Sequence, residues 1–82
     1  MTARRPVRDF AVLAFASTHD AMTAEQAVAE AGIPGRSIPR PAGMGAGCGI
    51  ALRLDPGHLE SAIAVLARAG IAPSARGFIK DR

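Results

Sequence analysis

The same helix-ending pattern occurs twice in this chain of 82 residues, and it restricts the folds available to it. Ala-Gly-Ile occupies 31–33 and again 69–71, with the two glycines 38 residues apart. A glycine after a helix, followed by a hydrophobic residue, is typical of a helix C-terminus. Each stop closes a helical segment that follows a strand-length segment rich in apolar residues. The sequence therefore predicts two successive strand–helix–strand units.

Period and capping residues place six elements along the chain. Ser17 or Thr18 caps the first helix, and Asp55-Pro56 starts the second. Pro39 and Pro41 confine the second strand to a sheet edge or end it. The predicted strands are 9–15, 35–38, 50–54 and 75–79, and the helices run from 17 or 18 to about 31 and from about 56 to 69. The predicted core faces are Ala21, Ala24, Val28 and Ala31 in the first helix, Leu59, Ala62, Ile63, Leu66 and Ala69 in the second, and Ile50, Leu52 and Leu54 in the third strand.

This order of elements predicts a ferredoxin-like α+β sandwich of βαββαβ type. We expect a four-stranded antiparallel sheet in the order 4-1-3-2, with both helices on one face. Residues 9–80 form a single domain, and residues 1–8 form a basic, flexible N-terminal tail.

The composition predicts a thin core. Hydrophobic residues make up 49% of the chain, but it has three Phe, no Trp and no Tyr, and alanine is the dominant apolar residue. Small side chains bury little area each, so we expect modest stability. Self-association would add to it, and a homodimer is left open.

The lack of a membrane span, of a signal peptide and of a second cysteine predicts a cytoplasmic protein. No apolar run approaches the roughly 18–20 residues of a membrane span, and the basic N-terminus does not resemble a signal peptide. A single cysteine excludes an internal disulfide, which fits the reducing cytoplasm. The net charge is +3, yet Arg4, Arg5 and Arg8 lie in the tail and no aromatic is interleaved with basic residues. This argues against nucleic-acid binding.

A loop rich in glycine and proline holds the one cysteine. It runs from Pro39, Arg40 and Pro41 to Gly47-Cys48-Gly49. Glycine on either side of Cys48 lets the backbone approach a substrate closely.

The predicted topology places this loop beside the N-terminus of the first helix, at Ser17, Thr18 and His19. Unpaired N–H groups and the helix dipole there would lower the pKa of Cys48, and His19 would add a hydrogen bond or a positive charge. The alternative is that Cys48 is a small buried hydrophobic residue and His19 an ordinary surface residue. His58 falls at the opposite end.

Other site chemistries lack their motifs. There is no Cys-x-x-Cys and no set of zinc ligands, so we predict no metal. The glycine run lacks the Gly-Lys-Ser/Thr ending of a phosphate loop, and it precedes a strand where dinucleotide motifs follow one. We therefore predict no cofactor.

Four segments together resemble a known family. They are 15–21 (Phe-Ala-Ser-Thr-His-Asp-Ala), 31–34 (Ala-Gly-Ile-Pro), 38–41 (Ile-Pro-Arg-Pro) and 48–53 (Cys-Gly-Ile-Ala-Leu-Arg). In this order they are similar to the small bacterial proteins called putative Se/S carrier protein-like. The resemblance covers about residues 8 to 72. It implies a carrier that holds sulfur or selenium on Cys48.

The leading hypothesis is therefore a group carrier, without turnover of its own, that receives sulfur or selenium on Cys48 as a persulfide or selenopersulfide. The donor would be a protein such as a cysteine desulfurase, and the acceptor protein is left unspecified. Arg40 or Arg53 would attract the anionic persulfide or selenide. One alternative is a small-ligand-binding or regulatory module with a structural cysteine. Another is nucleic-acid binding through Arg53 and Arg76, which the lack of sheet aromatics disfavours.

Overall fold

The computed structural model describes residues 8–41, 43 and 49–81. Its elements follow the order β-α-β-β-α-β, which confirms the predicted ferredoxin-like fold. The predicted flexibility of the N-terminal tail concerns residues that, apart from Arg8, lie outside the described ranges. The strands are β1 (Arg8–Ala14), β2 (Gly35–Pro39), β3 (Ile50–Leu54) and β4 (Ala75–Asp81), and the helices are α1 (Thr18–Glu30) and α2 (Leu59–Arg68).

The four strands form one antiparallel sheet in the order β2-β3-β1-β4, as predicted. β1 lies between β3 and β4, and Ala11 to Ala14 are buried. β2 lies at an edge, where Pro39 removes no hydrogen bond from the interior of the sheet.

Both helices pack on the same face of the sheet. Ala11 and Leu13 of β1, and Phe15 directly after it, alternate toward that face, and Leu52 and Leu54 join them from β3. The helices contribute mostly alanine, so the core is as thin as the composition indicates. Their buried residues are Ala21, Ala24, Val28, Ala62 and Leu66.

The two helix ends have the same hydrogen-bond pattern. After α1, Ile33 donates its N–H to Val28 at 2.9 Å, and after α2, Ile71 donates to Leu66 at 2.9 Å. Gly32 and Gly70 have φ angles of 77° and 78°. These are two Schellman motifs, so the repeated Ala-Gly-Ile pattern has a common structural cause. In the described ranges, neither helix is long and apolar enough to cross a membrane.

The structure corrects several predicted details. Ala31 and Ala69 are exposed, because each is the cap residue at which the chain leaves its helix. The second helix begins with a 3₁₀ turn, Pro56–His58, before α2. β4 continues two residues beyond 79, to Asp81.

Candidate functional site

The two ends of the β2–β3 loop are joined by a backbone hydrogen bond. Arg40 donates its N–H to the Gly49 carbonyl at 2.8 Å. This bond continues the β2–β3 ladder one residue past the Pro39–Ile50 pair. Gly47 and Cys48 lie outside the described residues. Gly49, the residue after Cys48 in the sequence, therefore marks where the cysteine-bearing segment joins the sheet.

Helix α1 begins at a capped N-terminus. Ser17 has extended backbone angles, φ −142° and ψ 157°, and its Oγ accepts a hydrogen bond from the Asp20 N–H at 3.1 Å. The Ser17 carbonyl accepts from Ala21 at 3.0 Å. The first turn is thereby fixed, with the positive end of the helix dipole at Ser17 and Thr18.

The loop end and the helix N-terminus extend past the same end of the sheet. Ala14 pairs with Ala51 in the antiparallel β1–β3 register. Gly49 lies two residues before Ala51 and Ser17 three residues after Ala14, so both lie beyond the same end of the sheet. Ser74, which precedes β4, donates its N–H to the Ala14 carbonyl at 2.8 Å. These positions agree with the predicted topology. The orientation of Cys48 toward α1 stays a prediction, because that residue is not described.

Arg40 carries a buried donor without a partner. Its Nη1 atom is buried and makes no hydrogen bond, and it is the one side-chain nitrogen or oxygen of this kind within residues 8–41, 43 and 49–81. A buried donor without an acceptor costs free energy, and more so when the group is charged. One nitrogen of the Arg40 guanidinium thus lacks an acceptor, eight residues before Cys48 in the sequence, and an anion would supply one.

His19 lies on the exposed surface of the first turn of α1. It lines a shallow groove along α1 with Met22, Glu25 and Gln26. Within the described part of the chain its imidazole makes no hydrogen bond, so its role near the thiol stays a prediction. His58, as expected, lies at the other end of the sheet, in the turn after β3.

No cluster of three or more His, Cys, Asp or Glu that could hold a metal occurs in the part of the chain that the structure describes.

Sequence reasoning missed one residue of interest, Arg36. Arg36 faces Arg53 across the β2–β3 ladder. Only the strand register reveals this pair, because the two residues are 17 positions apart in sequence.

A family model ties these features to known proteins. The model described as "Putative Se/S carrier protein-like" matches residues 10–76, which include Cys48, Arg40 and the start of α1. The chain belongs to this family. The resemblance drawn from the four sequence segments is therefore confirmed. No curated protein and no solved structure matches the chain significantly.

Proposed function

We propose that this protein carries sulfur or selenium as a group bound to Cys48. The observation that carries the proposal is the family match over residues 10–76, which contains the only cysteine of the chain. A carrier needs one accessible thiol and no other reactive group, and the sequence offers one thiol.

The proposed step is a thiolate exchange. The Cys48 thiolate attacks the terminal, sulfane sulfur of a persulfide on the donor protein. The S–S bond in the donor breaks as the new S–S bond to Cys48 forms, and the donor cysteine leaves as a thiolate. No net oxidation or reduction takes place. The second step repeats the exchange with the acceptor as nucleophile.

The N-terminus of α1 supports a reactive thiolate at this end of the sheet. Its N–H groups and dipole favour a negative charge nearby, which lowers the pKa of a thiol placed there. Ser17 fixes the first turn, and Thr18 and His19 are the first two helical residues. In this proposal they hold the charge of Cys48 before and after loading.

Arg40 is a second feature that supports the proposal. Its buried Nη1 lacks an acceptor, and a persulfide or selenopersulfide anion on Cys48 would supply one. Its N–H bond to Gly49 fixes the backbone of Arg40 against the residue that follows the cysteine. Pro39 and Pro41 stiffen the chain on each side of Arg40, and Gly47 and Gly49 leave space around the thiol.

The partners would be a donor such as a cysteine desulfurase and an acceptor protein. The test is to incubate the purified protein with a cysteine desulfurase and cysteine, and to measure intact mass. We expect a gain of one sulfur atom that dithiothreitol removes. Cys48→Ser should gain nothing, and Arg40→Gln should load more slowly, with Arg76→Gln as the matched control of equal charge change. Failure of the unaltered protein to load from an active desulfurase would contradict the proposal.

Alkylation of Cys48 in the folded protein measures the thiolate directly. We expect the apparent pKa from the rate profile to lie below the usual value of about 8.5. Labelling that occurs only in denaturant would mean that the cysteine is structural. The small-ligand-binding or regulatory module would then replace the carrier, and Cys48→Ser would keep its function.

A further inference from the structure

A cationic cavity lies at the end of the sheet away from the α1 N-terminus. It encloses about 310 Å³ between the starts of β1 and β2 and the end of β3. Three arginines, Arg8, Arg36 and Arg53, line it, and Asp55 is the one acidic residue among the lining residues that the structure describes. Its remaining walls include apolar side chains.

Arg53 is held in place by two contacts. Its Nη1 donates to Asp81 Oδ2 at 2.7 Å, and its guanidinium carbon lies 4.1 Å from the centroid of the Phe10 ring. The side chain is only 10% exposed. A cation fixed by an ion pair and an aromatic ring is a pre-organised part of the cavity wall.

Arg36 is the cation in this cavity without a counter-charge. It lies directly opposite Arg53 in the β2–β3 register. Like charges opposite each other on neighbouring strands are destabilising. Arg53 is paired with Asp81 and Arg8 with Asp55, but Arg36 has no ion pair in the described ranges. An anion between Arg36 and Arg53 would relieve the repulsion.

The apolar part of the wall indicates the rest of the ligand. The ring of Phe10, together with Pro34 and Leu54, lines the same cavity. Phe10 is 5% exposed and Leu54 2% exposed. The guanidinium carbons of Arg53 and Arg8 lie 4.1 Å and 4.5 Å from the centroid of the Phe10 ring. The apolar surface open to a ligand is therefore that of Pro34, which is exposed. The cavity therefore combines a cationic corner with a small apolar edge at Pro34.

We propose that this cavity is a binding site for a small organic oxyanion, with its phosphate or carboxylate held by Arg36 and Arg53 and its apolar body against Pro34. The planar guanidinium groups match the geometry of either oxyanion. The site does not use the thiol. Gly49 immediately precedes β3 and is four residues from Arg53, which separates the two by about 13 Å in extended chain.

Three probes test the proposal: phenyl phosphate, benzoate and inorganic phosphate. Each is titrated into the ¹⁵N-labelled protein and followed through the backbone amides of Gly35, Arg36 and Leu54. We expect saturable shifts at these amides with at least one of the two organic oxyanions, and weaker binding of inorganic phosphate. Whichever of phenyl phosphate and benzoate binds more tightly identifies the oxyanion.

Matched variants make the result specific. Arg36→Gln should weaken binding at least about tenfold, since it removes a charged hydrogen bond to the ligand. Arg36→Lys should retain part of the affinity, and Arg76→Gln, which changes the net charge equally outside the cavity, should keep all of it. Arg36 is exposed, so we expect these variants to fold, and their amide spectra check this.

The opposite results would overturn the proposal. Equal losses of affinity with Arg36→Gln and Arg76→Gln would mean that the probes bind by general charge attraction. Equal affinity for phenyl phosphate and inorganic phosphate would mean that no apolar contact contributes to binding. No saturable shift with any probe would exclude the site. Cys48→Ser should bind the probes as tightly as the unaltered protein does, because the site does not use the thiol. Absence of probe binding would therefore contradict the oxyanion site and leave the carrier proposal standing.

Discussion

At the residue scale, Asp55 acts through the charge of its carboxylate. Oδ1 accepts a hydrogen bond from the Gly57 N–H at 2.8 Å, and Oδ2 accepts from Arg8 at 3.0 Å. The pKa of Asp55 lies below its ordinary value of 3.8, chiefly because of the Gly57 hydrogen bond and then because of the positive charges of Arg8 and His58; partial desolvation opposes them. The ionised form is thus favoured by folding.

Asp55→Asn should make the folded protein less stable at neutral pH but not in acid. A lowered folded-state pKa adds stability above the unfolded pKa, and this stability is lost as the pH falls through the folded pKa. Asparagine keeps the cap but not the charge. Urea unfolding at pH 7 and below about pH 3 measures the difference. A gap between the two proteins that is the same at both pH values would contradict the assignment.

Ser17→Ala should lower the free energy of unfolding by about 1 kcal/mol, because the Asp20 N–H loses its acceptor. The control is Ser74→Ala, whose backbone N–H bond to Ala14 does not depend on the side chain. That variant should stay within about 0.5 kcal/mol of the unaltered protein. Chemical denaturation of both variants checks the comparison, and equal losses would exclude a capping role for Ser17.

At the scale of helices and strands, the sequence predicts what local chemistry decides. The Ala-Gly-Ile stops and the Asp55-Pro56 start are local signals, and the elements they mark are confirmed. The second helix nonetheless begins as a 3₁₀ turn, because the Asp55 cap and proline start a turn that tightens before α2. The end of β4 has a weaker sequence signal. Because β4 is an edge strand, Arg76, Phe78 and Lys80 are exposed, and the hydrophobic pattern that would mark its last residue is weak.

The residues of the candidate sites also differ in whether local sequence predicts them. The sequence places Ser17 at a helix start and Cys48 in a glycine-rich loop without help from tertiary contacts. Strand register is different, because it depends on how β2 and β3 pair. The juxtaposition of Arg36 with Arg53 is a consequence of that pairing. The burial of Arg40 Nη1 is likewise a property of the folded chain that no local sequence signal indicates.

Gly32→Ala and Gly70→Ala should each destabilise the protein by about 1–2 kcal/mol. Both glycines have left-handed φ angles, which an alanine Cβ disfavours even though open space surrounds it. Gly49→Ala is the control, because that glycine has open space around its Cβ position and no left-handed φ. Thermal or urea unfolding compares the three. A loss with Gly49→Ala as large as the others would contradict the conformational explanation.

At the scale of the whole molecule, few large side chains hold the domain together. The largest fully buried ones are Phe15, Leu13, Leu52, Leu66, Val12 and Val28. The remaining core is mostly alanine, which buries little area per residue. Each large side chain therefore accounts for a considerable share of the stability.

Leu52→Ala should cost about 2–5 kcal/mol and leave a domain close to unfolding at room temperature. Leu52 packs tightly in the sheet: a Cβ added to Gly35 would lie 3.2 Å from its Cδ1. Met22→Ala, at a side chain that is 63% exposed, should change stability by less than about 0.5 kcal/mol. Circular dichroism during urea unfolding measures both, and a mild effect of Leu52→Ala would mean that the core relaxes around the cavity.

The Arg40–Gly49 hydrogen bond should make the pairing of β2 with β3 independent of the residues between 41 and 48, even though Cys48 among them carries the proposed function. The bond closes the ladder before the stretch begins, so we expect β2 and β3 to keep their register when residues 41 to 47 are replaced. Doubling the length of such a stretch costs only about 0.6 kcal/mol in closure entropy. Related chains can therefore diverge in the length and polarity of this segment while the scaffold is conserved, and a foreign peptide grafted there should be tolerated.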